Sequence, residues 1–434
     1  MILVNINRNF YNEAHYNVKD KNLLRDVKFL SDITNLKLNE DIKVGGRVVS
    51  KRDFKNVIFF HLKDFQVEKQ FMYLKDNKDI NVKFKLGDFL IVQGCNVVNK
   101  VSKKKIIQAK KIFIVGSTLT YFPKIFYGIN KDNRSTYKTL VNIFSEKKFN
   151  SIRKRFEALQ YIRKIMQELN FFEVDTPILN DFSTADVAED FITKNNHNIT
   201  KFLRAAPEIN LKKLLVMGYR NIFELGKCFR NEGLSKLHLN EFTMMEMYSA
   251  FSNFEFMCQI VRIVILKLYQ YFVQISIDFK NVEYSVIQNQ FEQENSILDV
   301  EQYKNYAYKN NIDINNLSDE KIKNKLIEEY FMSFNEDWTF LNHFPSAVSC
   351  LAKPLYNNKK IANRSVLFFK NIEVAEIYDE LNDPIIQEKF LKNNLEEFQT
   401  DLFIGMPCSS GAGIGIERLL TIIFNLTQVK DLIV

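Results

Sequence analysis

The sequence has few cysteines, and their placement excludes two kinds of cross-linked protein. They are spread over 434 residues with no CxxC pair and no histidine at the spacing of a zinc finger. Isolated thiols of this kind are typical of a reducing compartment, and they argue against a disulfide framework or a structural zinc site. The five positions are Cys95, Cys228, Cys258, Cys350 and Cys408.

Long apolar runs are also missing, which argues against a helix that spans a membrane. The first residues, MILVNINRNF, begin with a short apolar stretch and then turn polar, so they do not resemble a secretory signal. We therefore expect a cytoplasmic protein without a membrane segment.

The composition is that of an ordinary globular protein. Hydrophobic residues make up 46% and charged residues 26% of the chain, whose length suits two or three domains. A net charge of +8 is compatible with a polyanionic partner. Because the chain is rich in Lys, Asn, Ile and Phe, genome composition alone also accounts for that charge.

The pattern along the chain divides it into four parts. Residues 1–40 are polar and predict a short helical lead-in, and residues 41–118 predict short strands separated by Lys- and Asn-rich turns. Five short strands fit a small barrel of the oligonucleotide-binding type, although a sandwich shares that pattern. The strands are expected at 41–50, 57–62, 69–74, 88–92 and 105–115.

Residues 119–150 are predicted to be a linker, and residues 151–434 a mixed α/β domain. Apolar residues recur at helical spacing from Ile152 to Leu169, through Phe156, Ile162 and Met166. Helices are also expected at 254–275 and 318–334. The polar, Asn-rich stretch Asn305–Asn316 predicts an insertion loop.

Three segments of this larger domain carry residues suited to chemistry. After the first helix comes FFEVDTPIL, at 171–179, which predicts a turn and a strand. Residues 221–251 predict two strands around a polar loop, with Arg230 ending the first strand and suited to phosphate or carboxylate. The run SGAGIGIERLL, at 410–420, has alternating glycines that let a backbone approach a ligand closely, but it lacks dinucleotide or Walker spacing.

In order and spacing these segments resemble the three motifs of class II aminoacyl-tRNA synthetases. Motif 1 corresponds to 155–179, motif 2 to 221–251 and motif 3 to 410–424. The segments FLRAAPEINLKK, NEFTMMEMYSAF, YDELNDP and GAGIGIERLL resemble the lysyl-tRNA synthetases in particular. The resemblance implies an α+β protein, in which a five-stranded OB-fold barrel that binds the anticodon precedes a catalytic domain with an antiparallel sheet flanked by helices.

The resemblance also implies a reaction and its partners. A lysine–tRNA ligase activates L-lysine with ATP to lysyl-adenylate and transfers the lysyl group to the 3′ end of tRNA(Lys), and the family acts as a homodimer with Mg²⁺. In this family the ATP site would comprise Arg230 on the α-phosphate, Phe242 and Arg418 around the adenine, Glu232 and His238 beside the nucleotide, and Glu373 as the metal ligand. Arg230 and Arg418 would be the catalytic residues.

The lysine site implied by the family is rich in acids, as the burial of an ammonium group requires. Its members would be Glu208 and Glu246 near the α-amino group, Arg230 at the carboxylate, and Tyr248, Glu376, Tyr378 and Glu380 toward the side-chain end. Strand periodicity places Glu376, Tyr378 and Glu380 on one face. It places Glu373 on the other face, so a metal-binding Glu373 predicts a β-bulge near Val374-Ala375.

In the barrel, the resemblance implies that Phe59 and Gln70 bind anticodon bases, since an aromatic ring can stack on an unstacked base. The alternative for Phe59 is a place in the barrel core.

Several positions depart from the family pattern. Thr184-Ala185-Asp186 stands where the family has a Gly-Gly-Ala loop, and Glu376 stands where it has Asn. Val366 replaces a second metal-binding carboxylate, so the number of Mg²⁺ ions is left open.

Two other hypotheses remain open at this point. An asparagine or aspartate ligase of the same subclass is favoured by the acidic residues around Asp186–Asp190 and opposed by Glu208 and Glu380, which would repel an aspartate side chain. A non-catalytic tRNA-binding paralogue is favoured by Val366 and the altered loop.

Overall fold

A computed structural model describes residues 22–33, 36–64, 67–75, 83–98, 105–118, 145–184, 189–315, 317–388 and 401–434. The predictions for 1–21, 34–35, 119–144 and Ala185-Asp186 lie outside these residues. The chain forms two compact units, Met1–Asn133 and Arg134–Val434. The four-part division with its boundaries stays a prediction. In the ranges just given, no helix combines the length and apolar character needed to cross a membrane.

The first unit is a closed five-stranded barrel, which confirms the predicted OB-type architecture. The strands are β1 (Asp41–Asp53), β2 (Val57–Asp64), β3 (Val67–Leu74), β4 (Phe89–Val98) and β5 (Lys105–Gly116). They follow one another around the barrel in the order β1-β2-β3-β5-β4, and alternate residues such as Val44, Phe60 and Phe71 fill the interior. Gly94 is required where β4 meets β5, because a Cβ there would lie 2.3 Å from the carbonyl oxygen of Gln108.

The predicted helical lead-in is reduced to one turn in the part of it that the structure describes. A 3₁₀ helix, Leu30–Ile33, precedes the barrel, and both of its terminal residues are buried in the barrel core.

The second unit contains the remaining strands and helices. Its strands are β6 (Phe172–Glu173), β7 (Leu179–Asn180), β8 (Phe191–Lys194), β9 (Thr200–Leu203), β10 (Asn221–Phe229), β11 (Glu241–Ala250), β12 (Phe279–Glu283), β13 (Trp338–Asn342), β14 (Arg364–Phe369), β15 (Ile372–Asp379) and β16 (Ser409–Gly415). Its helices are α1 (Glu146–Glu168), α2 (Glu208–Val216), α3 (Phe254–Phe272), α4 (Tyr284–Asn295), α5 (Val300–Lys309), α6 (Asp319–Phe334), α7 (Pro384–Glu388) and α8 (Ile416–Ile423).

The centre of this unit is an eight-stranded sheet in the order β12-β13-β14-β15-β16-β11-β10-β6. Its strands pair antiparallel except at the two ends, where β12–β13 and β10–β6 are parallel. One face packs on α1, α3 and α8 through a continuous apolar core. The expected antiparallel sheet flanked by helices is therefore confirmed.

Helices α1, α3 and α6 confirm the periodic predictions, with small differences. Ile162, Ile165 and Met166 of α1 are fully buried, but Phe156 is 49% exposed. The buried face instead passes through Arg155, whose guanidinium has charged and polar partners inside the protein.

The predicted insertion loop Asn305–Asn316 is wrong in its first part. Helix α5 runs to Lys309, because Tyr303 and Ala307 bury one helical face and Asp299 caps the first turn by accepting from the Gln302 amide at 2.9 Å. Burial at four-residue spacing outweighs the helix-weakening effect of Asn305.

Candidate active site

A cavity lies on the face of the sheet opposite the core helices, and every predicted site residue of this unit except Glu380 borders it. The predicted residues around it are Glu208, Arg230, Glu232, His238, Phe242, Glu246, Tyr248, Glu373, Glu376, Tyr378 and Arg418. They come from helix α2, the β10–β11 hairpin, β15 and α8. The structure thus brings together residues up to 210 positions apart in the chain (Glu208 to Arg418).

The alternating glycines of β16 form the floor of this cavity. Across three neighbouring strands, Gly413 is paired with Glu246 on β11 and with Glu376 on β15. Two residues earlier on β16, Gly411 is paired with Tyr248 on β11 and with Tyr378 on β15. Because glycine has no side chain, the two rows of side chains face each other over bare backbone.

Gly411 cannot be replaced without loss of the pocket wall. A Cβ at this position would lie 2.3 Å from Glu380 Oε1 and 2.5 Å from the Tyr248 ring. The absence of a side chain at Gly411 leaves this space, while close approach of a ligand to the glycine backbone stays a prediction.

A β-bulge in β15 explains how Glu373 and Glu376 can border the same cavity. Ala375 pairs with Leu367, but the next pair along the ladder is Glu373 with Phe368, which leaves Val374 without a partner on β14. The extra residue reverses the alternation of faces. The bulge predicted near Val374-Ala375 is confirmed.

One buried carboxylate joins the three motif segments. Glu417 on α8 accepts from Arg155 of α1 at 2.9 Å and from the Thr243 amide of β11 at 2.7 Å. Arg155 also donates to the Thr243 hydroxyl at 2.8 Å. This network fixes the start of α8, and with it the backbone of the neighbouring Arg418.

One end of the cavity is open to solvent and holds the residues predicted to bind ATP. We call it the nucleotide end and define it as Arg230, Glu232, His238, Phe242, Glu373 and Arg418. Glu232, His238 and Glu373 are exposed, and the others are half-buried. The guanidinium of Arg230 lies 5.3 Å from the centre of the Phe242 ring. Its Nε is buried without a hydrogen-bond partner among the described residues, as expected of a donor that awaits an anionic ligand.

Arg418 contacts Glu373 from the other side of this end. Its guanidinium donates to the Glu373 carbonyl at 3.2 Å and lies 3.6 Å from the Glu373 carboxylate. Partial burial and the charge of Arg418 lower the pKa of His238, so this ring is held neutral. A neutral imidazole can accept or donate one hydrogen bond beside a nucleotide.

The other end is mostly buried and holds residues predicted to bind the amino acid. We call it the amino-acid end and define it as Glu208, Glu246, Tyr248 and Tyr378, together with Glu380 behind the cavity lining. Glu246 and Tyr248 are each 5% exposed, and the Tyr248 hydroxyl donates to the Glu246 carboxylate at 3.4 Å. Burial, together with the nearby charge of Glu208, raises the pKa of Glu246 well above its usual value. A bound ammonium group would relieve that cost.

Lys212 is a residue of this end that the sequence reasoning missed. Its side chain is 1% exposed, and its Nζ lies 2.7 Å from Glu208 Oε1 and 2.7 Å from Glu380 Oε2. Burial raises the pKa of Glu380 to about 7 even though Lys212 opposes the shift. The spacing of Glu208 and Lys212 by four residues on one helix is the signal that could have found it.

Arg364 was missed as well, and it holds Glu376. Its guanidinium forms an ion pair with the Glu376 carboxylate and lies 4.5 Å from the centre of the Phe344 ring. Burial opposes ionisation of Glu376, but Arg364 outweighs it and lowers the pKa of that carboxyl. Val366 is buried and paired directly with Glu376 across β14 and β15.

The donors at the nucleotide end suit Mg²⁺ bound together with phosphate. Magnesium in nucleotide sites is held by one or two carboxylates plus substrate phosphates. Glu373 and Glu376 supply carboxylates on the cavity wall. In the described part of the chain, no cluster of three or more His, Cys, Asp or Glu residues could hold a metal on protein ligands alone.

In the barrel, Phe59 and Gln70 lie on the outer surface. Phe60 packs in the core, whereas Phe59 is half-buried and meets Phe54 edge-on with ring centres 6.1 Å apart. Gln70 is exposed and pairs with His61, two positions from Phe59 on β2. The barrel-core alternative for Phe59 is therefore wrong, while its contact with an anticodon base stays a prediction.

Comparison with known proteins agrees with this geometry. A family model described as tRNA synthetases class II (D, K and N) matches residues 130–434. The lysine–tRNA ligase of Buchnera aphidicola subsp. Schizaphis graminum is 29% identical, and the alignment covers 99% of this chain and 94% of that protein. The lysine–tRNA ligase of Buchnera aphidicola subsp. Cinara cedri is 30% identical over 98% of this chain and 92% of its own length. That of Wigglesworthia glossinidia brevipalpis is 29% identical, with coverages of 98% and 93%.

Proposed function

Because the chain belongs to the class II tRNA synthetases of the D, K and N group, we propose that it is a lysine–tRNA ligase. It activates L-lysine with ATP and esterifies the 3′-terminal adenosine of tRNA(Lys). The observation that carries this specificity is the acidic end of the cavity, where Glu208 and Glu246 border a space lined by two tyrosines and the buried Glu380 lies behind that lining.

Charge complementarity distinguishes lysine from the substrates of the related enzymes. Free lysine brings two ammonium groups and one carboxylate. In this proposal Glu246 and Glu208 hold the α-ammonium group, and Arg230, which lines the same cavity, binds the carboxylate. An aspartate side chain would meet like charge at Glu380, and an asparagine side chain would bring no cation to the acidic cluster, in which Lys212 is outnumbered by its two carboxylate partners.

In the first step, a carboxylate oxygen of lysine attacks the α-phosphorus of ATP, and the bond to the pyrophosphate oxygen breaks. Arg230 orients the carboxylate and carries part of the charge that develops on the α-phosphate. Phe242 and Arg418 hold the adenine from two sides, as an arene and a guanidinium can. No nucleophilic side chain is needed, because both reacting groups belong to the substrates.

In the second step, a hydroxyl of the terminal adenosine attacks the carbonyl carbon of lysyl-adenylate, and AMP leaves. The same cationic groups that oriented ATP then hold AMP as the leaving group. Glu373 would hold Mg²⁺, which when bound neutralises phosphate charge; Val366 supplies no carboxylate, so we infer fewer metal ligands from the protein.

The proposal includes a homodimer and a tRNA-binding barrel. Exposed apolar side chains at the edge of the second unit, Phe172 (66%), Leu179 (47%) and Ile192 (63%), support an interface formed by the motif 1 region. In the barrel, Phe59 and Gln70 form the outer surface that receives the anticodon. As a translation enzyme, the protein would act in the cytoplasm.

ATP–pyrophosphate exchange with lysine, asparagine and aspartate, each offered separately with Mg²⁺, tests the proposal. We expect exchange with lysine alone. Exchange with asparagine or aspartate instead would identify a related ligase. A folded protein that binds tRNA but exchanges with none of the three would be a binding paralogue, and the proposed activity would be overturned.

A further inference from the structure

The buried lysine at the amino-acid end has no role in the reaction as described above. A lysine side chain that is 1% exposed is rare and requires opposite charge close by. Lys212 has two carboxylate partners at 2.7 Å, one on its own helix and one from the end of β15. The Lys212 ammonium group therefore links α2 to the sheet at the amino-acid end of the cavity.

The two partners are not equivalent in their access to a ligand. Glu208 borders the cavity, but Glu380 is 1% exposed and does not border it. Neither carboxylate oxygen of Glu380 has a hydrogen-bond partner among the described residues, but Oε2 forms the ion pair with Lys212, and the described contacts show no such pair for Oε1. That oxygen lies beside Gly411 and the Tyr248 ring, in the space that a Cβ at Gly411 would fill.

We propose that Lys212 is a positioning residue that determines specificity for lysine: by bridging Glu208 and Glu380 it keeps Glu380 charged and turns one free carboxylate oxygen, Oε1, toward the substrate's side-chain ammonium. This inference rests on the proposed lysine–tRNA ligase function. Lys212 itself touches no reacting atom.

A charge count explains why a cation is needed there. Glu208 and Glu380 carry two negative charges and Lys212 one positive charge, so this cluster has a net charge of −1. One charge suits one substrate ammonium group. Without Lys212, the half-buried Glu208 and the buried Glu380 would repel each other, and one of them would take up a proton in place of binding the substrate.

The groups that face Glu380 are few. They are Lys212 and Glu208 on α2, Tyr248 on β11, and the adjacent Asp379. Burial and the two acids favour the neutral form of Glu380, and Lys212 is the cation that opposes them. Removal of the Lys212 ammonium therefore raises the pKa of Glu380 further and shifts lysine binding to higher pH.

The test is ATP–pyrophosphate exchange by the full chain, measured against lysine concentration from pH 6 to pH 9. Lys212→Met removes the charge at nearly the same volume, and Lys213→Met is the matched control on the next residue of the helix, which is partly exposed and 3.6 Å from Asp401. For Lys212→Met we expect the KM for lysine to rise about 30- to 100-fold at pH 7, with partial recovery at pH 9. The KM for ATP and kcat at saturating lysine should stay within about threefold, and Lys213→Met should match the unaltered protein.

Lys212→Arg retains the cation and covers the case in which Lys212→Met does not fold. We expect its KM for lysine to rise by less than about tenfold, and its pH profile to follow that of the unaltered protein. An unchanged KM in a folded Lys212→Met protein, or equal loss of lysine and ATP binding in Lys212→Arg, would overturn the role of Lys212. No exchange by the unaltered protein would instead overturn the proposed function, and the two failures are therefore distinguishable.

Discussion

The two ends of the cavity solve the same problem, recognition of a charged ligand, by opposite means. At the nucleotide end, exposed or half-buried side chains such as His238, Glu373 and Arg418 lie on loops, at a bulge and at a helix start. At the amino-acid end, Glu246 and Glu380 are buried, and their pKa values are raised. ATP brings its own charge and solvent-exposed phosphates, so its site can stay wet. A lysine side chain must be distinguished from neutral side chains. Buried carboxylates that outnumber the cations around them make this distinction best.

The contrast teaches that selectivity and binding are separate tasks in this cavity. Water screens charges at the solvent-exposed nucleotide end, so each contact there contributes modestly to the binding free energy. At the buried amino-acid end, charges interact at low dielectric, and a buried charge without an opposite charge beside it costs several kcal/mol. We therefore expect substitutions at the two ends to affect different kinetic constants.

The largest effect is expected at Arg230, to which the proposal gives contacts with both substrates. Arg230→Ala should lower kcat/KM for lysine-dependent exchange about 1,000-fold, because it removes donors to both the substrate carboxylate and the α-phosphate. Arg220→Ala, at an exposed arginine just before β10, is the control. Equal activity of the two variants would show that Arg230 does not contact the reacting groups.

Removal of a charge from the amino-acid end should change the KM for lysine alone. Glu246→Gln keeps the shape and hydrogen bonding of the side chain, but we expect the KM for lysine to rise about 100-fold while the KM for ATP changes less than threefold. Glu241→Gln, on the exposed start of the same strand, should change neither constant. A matching rise in the KM for ATP would contradict the separation of the two ends.

Removal of an aromatic ring from the nucleotide end should change the KM for ATP alone. Phe242→Ala is expected to raise the KM for ATP about 30-fold, which corresponds to about 2 kcal/mol of lost stacking. The KM for lysine should stay within about threefold. Phe251→Ala, at a ring that is 76% exposed, should leave both values unchanged, and a similar loss in this control would point to a change in folding.

The pH dependence should also differ between the ends. Glu246 and Glu380 both have raised pKa values; that of Glu380 is about 7, so Glu380 is partly neutral below that pH and charged above it. Since lysine binds the charged forms, its KM should fall about tenfold per pH unit from pH 6 toward 7 and level off above. Measurement of both KM values across this range should show a nearly flat profile for ATP.

The smallest effect is expected from the barrel, which contributes to neither end. Phe59→Ala should lower kcat/KM for tRNA about fivefold, near 1 kcal/mol of lost base stacking, without any change in lysine-dependent exchange. Phe89→Ala, at another partly exposed ring of the barrel surface, serves as the control. An equal loss in both variants would place the anticodon elsewhere.

Regular features could be predicted from the sequence because they repeat. Period-two strands between Asp41 and Gly116 and the 3.6-residue period of α1 each involve local residues only, and the structure confirms them. The bulge in β15 was predicted because strand period two places Glu373 and Glu376 on opposite faces, whereas a metal-binding Glu373 has to face the cavity. The Asn305–Asn316 loop was wrong because its polar composition hid the burial of Tyr303 and Ala307.

By itself the sequence determined the barrel through its local pattern. It determined the order of the three motifs and most of the residues around the cavity through the resemblance of those motifs to a known family. Only the tertiary structure decided which charges neutralise one another. Lys212 reaches Glu380 and Arg364 reaches Glu376 through strand pairing and helix packing. Ion pairs between residues distant in the chain depend on three-dimensional distance and on burial, and neither quantity is written in the local pattern of residues.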